Sequence, residues 1–423
     1  MSHCGLGGRW TRRQRRAKNG TIARVAEGRC RMRALIVGAG IAGLVAARQL
    51  GLAGWSVDVL ERAPEPRPEG YMMDFFGPGV RAAERIGIYP YLAQAAYRIE
   101  AAAYVDHEGR ETARLDYARF SQLAGGNVLS LLRPDMENAA LRALGDAPAG
   151  SVRLHYGHRA SRVAQQPRSV AVAAKDRHGE TRWFDADLLI GADGLHSAVR
   201  GAVFGPDSGC LRDLGLRAAA YIVDEPGINA GARNRFVLTD SVGRTAGYYG
   251  LHDGRVACLL VYRALPGDPQ NARDRLRRHF TGLGAAVDRL LELCPEEPYD
   301  DVVAQVVMPR LSRGNTVLLG DAGGAVSLLA GQGGSLAVAG AAELAASLEH
   351  LEDPEWIPAA LAGFSARWQV TVRTAQATGR RAAASFLPAT RAGLLLRRWV
   401  VRGSNVPPID RLIARRIVAT LAK

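Results

Sequence analysis

The sequence predicts an α/β fold: a parallel-sheet domain, interrupted by a β-rich insertion and followed by C-terminal helices. Three observations carry this. A strand, glycine turn, helix and second strand follow one another over 34–61. Period-two alternation takes over at 98–120 and 215–263. Helical stretches fill most of 336–423. An α/β pattern that stops and resumes points to one domain assembled from separated segments, with another inserted in it.

The opening element says most. Ala34-Leu-Ile-Val37 reads as a strand, Gly38-Ala-Gly40-Ile-Ala-Gly43 as a turn, the apolar run to Gly54 as a helix, and Val57-Asp-Val-Leu-Glu61 as a second strand. Gly38 permits the tight turn, Gly40 lets backbone approach phosphates, and Gly43 lets the helix pack closely on the sheet. The helix N-terminus offers unpaired N–H groups to an anion. Glu61 stands eighteen residues past Gly43, where a carboxylate accepts hydrogen bonds from ribose hydroxyls. A GxGxxG alone is a weak signal. The flanking strand and helix and the acid in place make this a dinucleotide site rather than a plain glycine turn, and the domain Rossmann-like.

Bulk properties narrow the partners. The five cysteines are scattered with no CxxC pair, which argues for a reducing, cytoplasmic setting and against a disulfide framework or structural zinc. No metal site is expected. The net charge of +14 sits at the ends: +9 over 1–33 and +7 over 391–423, which leaves −2 for the body. With no aromatic-interleaved basic surface, nucleic-acid binding is not expected. Residues 1–32 read as a disordered basic tail or a non-native extension, with Met32 as an alternative start. The uncharged run 322–342 holds six glycines and reads as a loop feeding a buried helix, not as a membrane span.

Further elements follow in order. Residues 80–86 form a short helix, and 98–120 alternate as strands about a turn at Gly109. A helix begins near Pro134, with Asp135 at its positive end. Short strands separated by turns occupy 151–190. Asp253-Gly254 marks a hairpin. Residues 271–294 read as one helix with Leu276, Phe280, Leu283, Val287 and Leu290 on a stripe. Tyr248 and Tyr249, adjacent on a strand, face opposite ways. His196, His252, Arg217, Arg233 and Arg235 read as surface or packing residues, with the arginines on solvated strand faces. The basic C-terminal helices read as a cap on the β-rich domain with solvated arginines, in preference to peripheral contact with an anionic membrane.

Two further motifs carry chemistry. Leu188-Leu-Ile-Gly-Ala-Asp193-Gly-Leu-His-Ser197-Ala-Val-Arg200 is a strand ending in Asp-Gly before a helix start. Asn315-Thr-Val-Leu-Leu-Gly320-Asp321 delivers a carboxylate at a strand end, and a second glycine loop, Gly331-Gln-Gly333-Gly334-Ser335, then opens a helix. With the N-terminal fingerprint, this ordered triple resembles the FAD-dependent aromatic hydroxylases of the p-hydroxybenzoate hydroxylase type. It looks closest to the subgroup of tetracycline-inactivating and polyketide-tailoring monooxygenases. The resemblance spans roughly 33–345.

That resemblance implies a Rossmann-like FAD-binding domain from 33–74, 121–200 and 300–350, a β-rich substrate domain from 75–120 and 201–299, and a C-terminal helical segment, 351–423. It implies that Gly38, Gly40, Ala42 and Gly43 hold the FAD diphosphate, and that Glu61 and Arg62 hold the adenosine end. By the same resemblance Arg133 and Asp193 contact FAD, Asp321 meets the ribityl chain, and Gly331, Gly333, Gly334 and Ser335 present N–H groups to the flavin ring. Arg67 matches an arginine that contacts NADPH. The implied reaction uses NADPH or NADH and O₂ to hydroxylate an apolar aromatic or polycyclic substrate through a C4a-hydroperoxyflavin. No catalytic base is assigned. An epoxidase or other oxidoreductase on the same scaffold, or a flavin-holding protein with little turnover, is the alternative. Two departures favour the latter: Gly324 stands where many relatives have His, and Leu328 where they often have Pro.

Overall fold

The computed structural model describes residues 31–403 except 68–69 and 124–125. Apart from Arg31 and Met32, the expected basic tail lies outside the described residues, as does the sequence after Gly403.

The opening strand Arg33–Val37 is central in a six-stranded sheet, flanked by Ser56–Glu61 on one side and Leu188–Gly191 on the other, all parallel. Thr316–Leu318 and Val152–Tyr156 extend the parallel set, and the two-residue strand Ser312–Arg313 closes one edge antiparallel. The inner strands Arg33–Val37, Leu188–Gly191 and Thr316–Leu318 read as nearly continuous apolar runs because both faces are covered. Ile36, Ile190 and Val317 pack under the helices Ile41–Leu52 and Gly333–Leu348, whereas Leu35, Leu189 and Leu318 face Val172, Phe184 and Val199. Val172 and Phe184 belong to the antiparallel three-stranded sheet of Arg159–Gln165, Val170–Lys175 and Thr181–Ala186.

The β-rich part is a seven-stranded sheet running from Tyr299–Val306 at one edge to Glu111–Asp116 at the other. Leu211–Asp224 pairs with both Tyr299–Val306 and Arg255–Arg263. The hairpin at Gly254 joins Arg244–Gly250 to Arg255–Arg263. Tyr248 and Tyr249 do point to opposite faces: Tyr248 packs with Tyr221, and Tyr249 stacks on Phe236 at 4.0 Å.

Packing revises several sequence expectations. The helices Pro78–Arg85 and Tyr89–Gln94 bury Val80, Ala83, Ile88 and Leu92 in the core of the parallel sheet, although 75–120 was expected in the substrate domain. Tyr299–Val306 belongs to the large sheet, so the expected boundary at residue 300 falls within one of its strands. The helix expected over 271–294 is two, Ala272–Phe280 and Ala285–Glu292, because Gly282 and Gly284 take φ values of 78° and 143° between them. All five stripe residues are nevertheless buried. Arg217 is not solvated: its Nε donates to Asp300 at 2.9 Å.

The C-terminal arginines also turn inward. On the helix Arg391–Gly403, Arg397 and Arg398 both donate to the buried Asp240, Arg398 Nη2 at 2.6 Å. Leu395, Leu396 and Trp399 are left exposed. The 30-residue helix Ile357–Phe386 precedes it. Its buried Gln376 donates to the carbonyls of Val306 at 2.6 Å and Ala325 at 3.1 Å, while Gln305 Nε2 donates to the Gln376 carbonyl at 2.8 Å. This amide clasp ties the helix to the large sheet and to the segment before the second glycine loop. Gln376→Leu strands the buried Val306 carbonyl and leaves that of Ala325 with the Val306 amide alone, and is expected to cost about 1–3 kcal/mol of stability. Thermal unfolding of the purified variant reads this directly, and an unchanged midpoint would reject the clasp.

Candidate functional site

Three strands of the parallel sheet end at one place. Gly38 takes φ 105°, and a Cβ there would lie 2.3 Å from the Ala192 carbonyl oxygen. A Cβ on Gly43 would lie 2.0 Å from the Gly38 carbonyl oxygen, so the first helix sits against the turn through bare backbone. Gly40 differs: the nearest atom to its Cβ position is Glu137 Oε1 at 3.6 Å, and that side faces a cleft. Gly40 is also the N-cap, with no side-chain cap and no acidic residue in the first turn. The first-turn amides therefore face the cleft without an intrahelical partner, under the positive end of the helix.

Glu61 ties the second strand to this turn. Its Oε2 accepts from Ala39 N and its Oε1 from Ala63 N, each at 2.9 Å. Arg67 lies 3.7 Å from the same carboxylate. Arg133, at the start of the helix Arg133–Ala143, pairs with Glu137 at 2.8 Å. Asp193 accepts from Ser197 Oγ at 2.5 Å and from Val199 N at 3.1 Å, which caps the helix Ala198–Phe204. Burial raises its carboxyl above the ordinary range in spite of those bonds.

The cleft has a volume of about 640 Å³. Of the sequence-predicted residues, Gly38, Gly40, Glu61, Arg62, Arg67, Arg133, Asp193 and Asp321 all line it. Gly331, Gly333 and Gly334 line a smaller pocket of about 90 Å³, whose other wall is Ala218, Val302 and Val303 of the large sheet. Asp321, Tyr71, Leu195 and Tyr299 line both, so the two spaces are neighbours across one wall. Asp321 is open to the cleft yet ringed by its walls. That enclosure raises its carboxyl, with Arg133 acting in the opposite sense. Tyr71 is pushed up to about 12 by burial.

Three predicted residues do not line the space. Ala42 and Gly43 stand behind it: a Cβ on Gly320 would meet Ala42 Cβ at 2.9 Å, so both positions stay small. Ser335 is turned into the core, where its Oγ accepts from Phe76 N at 3.1 Å. Tyr71, Tyr299 and Glu137 escaped the sequence reading. Only Glu137 had a local signal, its spacing of four from Arg133 on one helix face. The departure at Gly324 has a structural counterpart, since a Cβ there would meet Val372 Cγ1 of the long helix at 2.7 Å. That place is filled by an apolar side chain.

Comparison with known proteins decides the family. The FAD binding domain family model matches residues 31–226. A flavin-dependent monooxygenase from an unknown prokaryotic organism is 30% identical over 365 residues, covering 84% of this chain and 90% of its own. This chain belongs to the FAD-dependent monooxygenase family. An uncharacterised Mycobacterium tuberculosis protein is 34% identical over 331 residues, covering 75% of this chain and 85% of its own. Among solved structures, tetracycline destructase Tet(55) matches with TM-score 0.71 and 27% identity, over 88% of this chain and 95% of that one. Klebsiella pneumoniae HpxO, solved with FAD and uric acid, shares the fold at TM-score 0.74 and 24% identity, over 92% of this chain and 97% of that one.

The monooxygenase's own cleft fits FAD. An uncapped helix N-terminus suits a diphosphate, and the open side of Gly40 is the cradle that a Cβ would intrude upon. No helix among the described residues is long and apolar enough to cross a membrane. The two glycines separate binding from folding. Gly40→Ala is expected to keep wild-type thermal stability and to lose bound FAD on gel filtration by tenfold or more. Gly43→Ala is expected to unfold at lower temperature whether or not FAD is present. Equal behaviour of the two variants would contradict this assignment.

Proposed function

We propose that this monooxygenase uses NADPH or NADH and O₂ to hydroxylate an apolar aromatic or polycyclic small molecule held at the mouth of the small pocket. One observation carries the reading. The dinucleotide cleft shares four wall residues, Tyr71, Leu195, Tyr299 and Asp321, with the pocket between the second glycine loop and the inserted sheet. A cofactor laid along the cleft thus ends where a substrate on the sheet would meet it.

Amides of the first turn of Ile41–Leu52 would hold the diphosphate, and Glu61 and Arg62 the adenosine end. Arg133, Asp193 and Asp321 would contact FAD along its middle. Bound FAD supplies the redox chemistry, accepting electrons from the nicotinamide and delivering them to O₂. The chain supplies placement. Gly333 and Gly334 leave backbone N–H groups uncovered at the start of Gly333–Leu348, whose first turn holds no acid, while the Gly331 N–H donates to the Leu328 carbonyl at 3.1 Å. Negative charge developing on a ring set there meets donors and the positive end of a helix. Leu328, Val302 and Val303 keep that end of the pocket apolar and exclude water. Arg67, exposed at the cleft rim beside Glu61, would meet the phosphates of the nicotinamide cofactor.

A second reading, a flavin-holding protein with little turnover, draws on Val372 filling the space beside Gly324. Turnover separates them. The proposal expects a yellow protein whose NAD(P)H oxidation rises on adding an aromatic substrate, with a product heavier by one oxygen. Absence of any substrate-stimulated oxidation across a panel of phenols and polycyclic aromatics favours the second reading. Arg67→Ala is expected to raise KM for the nicotinamide cofactor about tenfold with FAD content unchanged, since it removes one charge-assisted contact. An unchanged KM would remove Arg67 from this role.

A further inference from the structure

The helix Arg391–Gly403 is laid down inside out. Leu395, Leu396, Trp399 and Val400, spaced for one helical face, are 65%, 64%, 68% and 39% exposed. The cations face the protein instead. Arg397 and Arg398 both donate to the buried Asp240, and the Arg397 guanidinium lies 5.3 Å from the centre of the Tyr104 ring. Arg402 Nε donates to the Thr112 carbonyl at 2.8 Å, on the edge strand Glu111–Asp116. Of the three leucines on this helix only Leu394 is buried. Bonds from arginine to the large sheet thus fix the way the helix faces, and they turn its apolar side outward.

A helix that docks on its own domain by packing buries its apolar stripe. Here four large apolar side chains meet water within six residues of chain. Other exposed ones among the described residues, such as Leu52, Trp183 and Leu265, are scattered singly along the sequence, which is ordinary. A contiguous patch calls for an occupant. Charge points to one. No acid stands among 391–403, and from 391 to 423 there are eight Lys/Arg against one Asp. Asp240 neutralises one of its two arginines, and Arg391 and Arg402 are exposed near the two ends of the helix. Leucine and tryptophan flanked by arginine suit the boundary of an anionic bilayer, where apolar groups enter the acyl region and guanidinium groups meet phosphates. Thirteen residues rise only about 20 Å, so the helix lies along such a surface and does not cross it. A second copy fits less well. A stable protein interface engages about 20–30 residues a side, and two such faces would bring arginines together.

We propose that the helix Arg391–Gly403 seats this enzyme on an anionic membrane surface, with Leu395, Leu396, Trp399 and Val400 entering the lipid and the Asp240 pairs holding the helix in that orientation. The sequence alone favours a cap with solvated arginines. The inward turn of Arg397 and Arg398 removes the ground for that preference. Because the helix is already formed and oriented, little ordering entropy is left to lose on contact. Seating of this kind is independent of the reaction proposed above.

The test floats the full chain with vesicles of phosphatidylcholine, either alone or mixed with phosphatidylglycerol. The wild type is expected to bind the mixed vesicles about tenfold or more tightly than the neutral ones, and less tightly as salt is raised. Leu396→Ser combined with Trp399→Ser keeps every charge and removes two exposed side chains, so the thermal midpoint is expected to stay where it is. Binding of this variant to the mixed vesicles is expected to weaken about tenfold or more. Failure of the wild type to bind the mixed vesicles, or equal binding to both kinds, overturns the proposal. Undiminished binding by the double variant does so too, because attachment would then rest on charge alone, the basic residues 1–33 included. A wild-type dimer in the absence of lipid that the double variant turns into a monomer assigns the face to a second copy and likewise overturns it.

Discussion

Everything in this molecule hangs on one backbone-to-backbone approach, Gly43 against the carbonyl of Gly38. The helix cannot come this close to the turn if either position bears a side chain. Because it does, its N-terminus points across the C-terminal ends of three strands rather than along the sheet surface. Those ends bring Gly38, Glu61 and Asp193 to one cleft. The approach of Gly38 to Ala192 repeats the device one strand further on, and the bond from Ala39 to Glu61 does so on the other side. Geometry at a few backbone atoms thereby sets where an anion can bind.

The cleft is held by charges that serve structure first. Glu61 already accepts two amide bonds, Asp193 caps a helix, and Arg133 is paired with Glu137. Each is fixed before any ligand arrives, so little side-chain entropy remains to be lost on binding. Asp321 is the exception. Among the described residues no hydrogen bond fixes its carboxylate, and it lines both the cleft and the pocket.

Several arginines work inside the protein. Arg200, fully buried, donates to Asp207 and to the carbonyls of Leu195 and Ala322. Arg217 and Arg275 share Asp300, and Arg397 and Arg398 share Asp240. A buried carboxylate between guanidinium groups contributes little net stability, but losing one partner strands a charge. These pairs fasten the insertion and the C-terminal helix in one arrangement, which propensity alone would not specify.

The dinucleotide strand–turn–helix, the two later motifs and the hairpin were legible in the residues alone, because each is written in local spacing and in glycines whose φ or contacts allow nothing else. Of the thirteen cofactor candidates, those that face the cleft are the ones whose side chain or missing Cβ stands at a strand end or loop. Ser335 turned inward because a helix position next to a loop chooses its neighbour, here the Phe76 amide, through the packing of a distant segment. The split at Gly282 and Gly284, the allegiance of 299–306 to the large sheet, and the inward arginines likewise depended on partners more than fifty residues away or on the energetics of closing a turn. So did Tyr71 and Tyr299, whose places follow from three-dimensional enclosure. A chain records its periodicity locally, but burial, and with it the meaning of a lone tyrosine or acid, exists only once separate segments have come together.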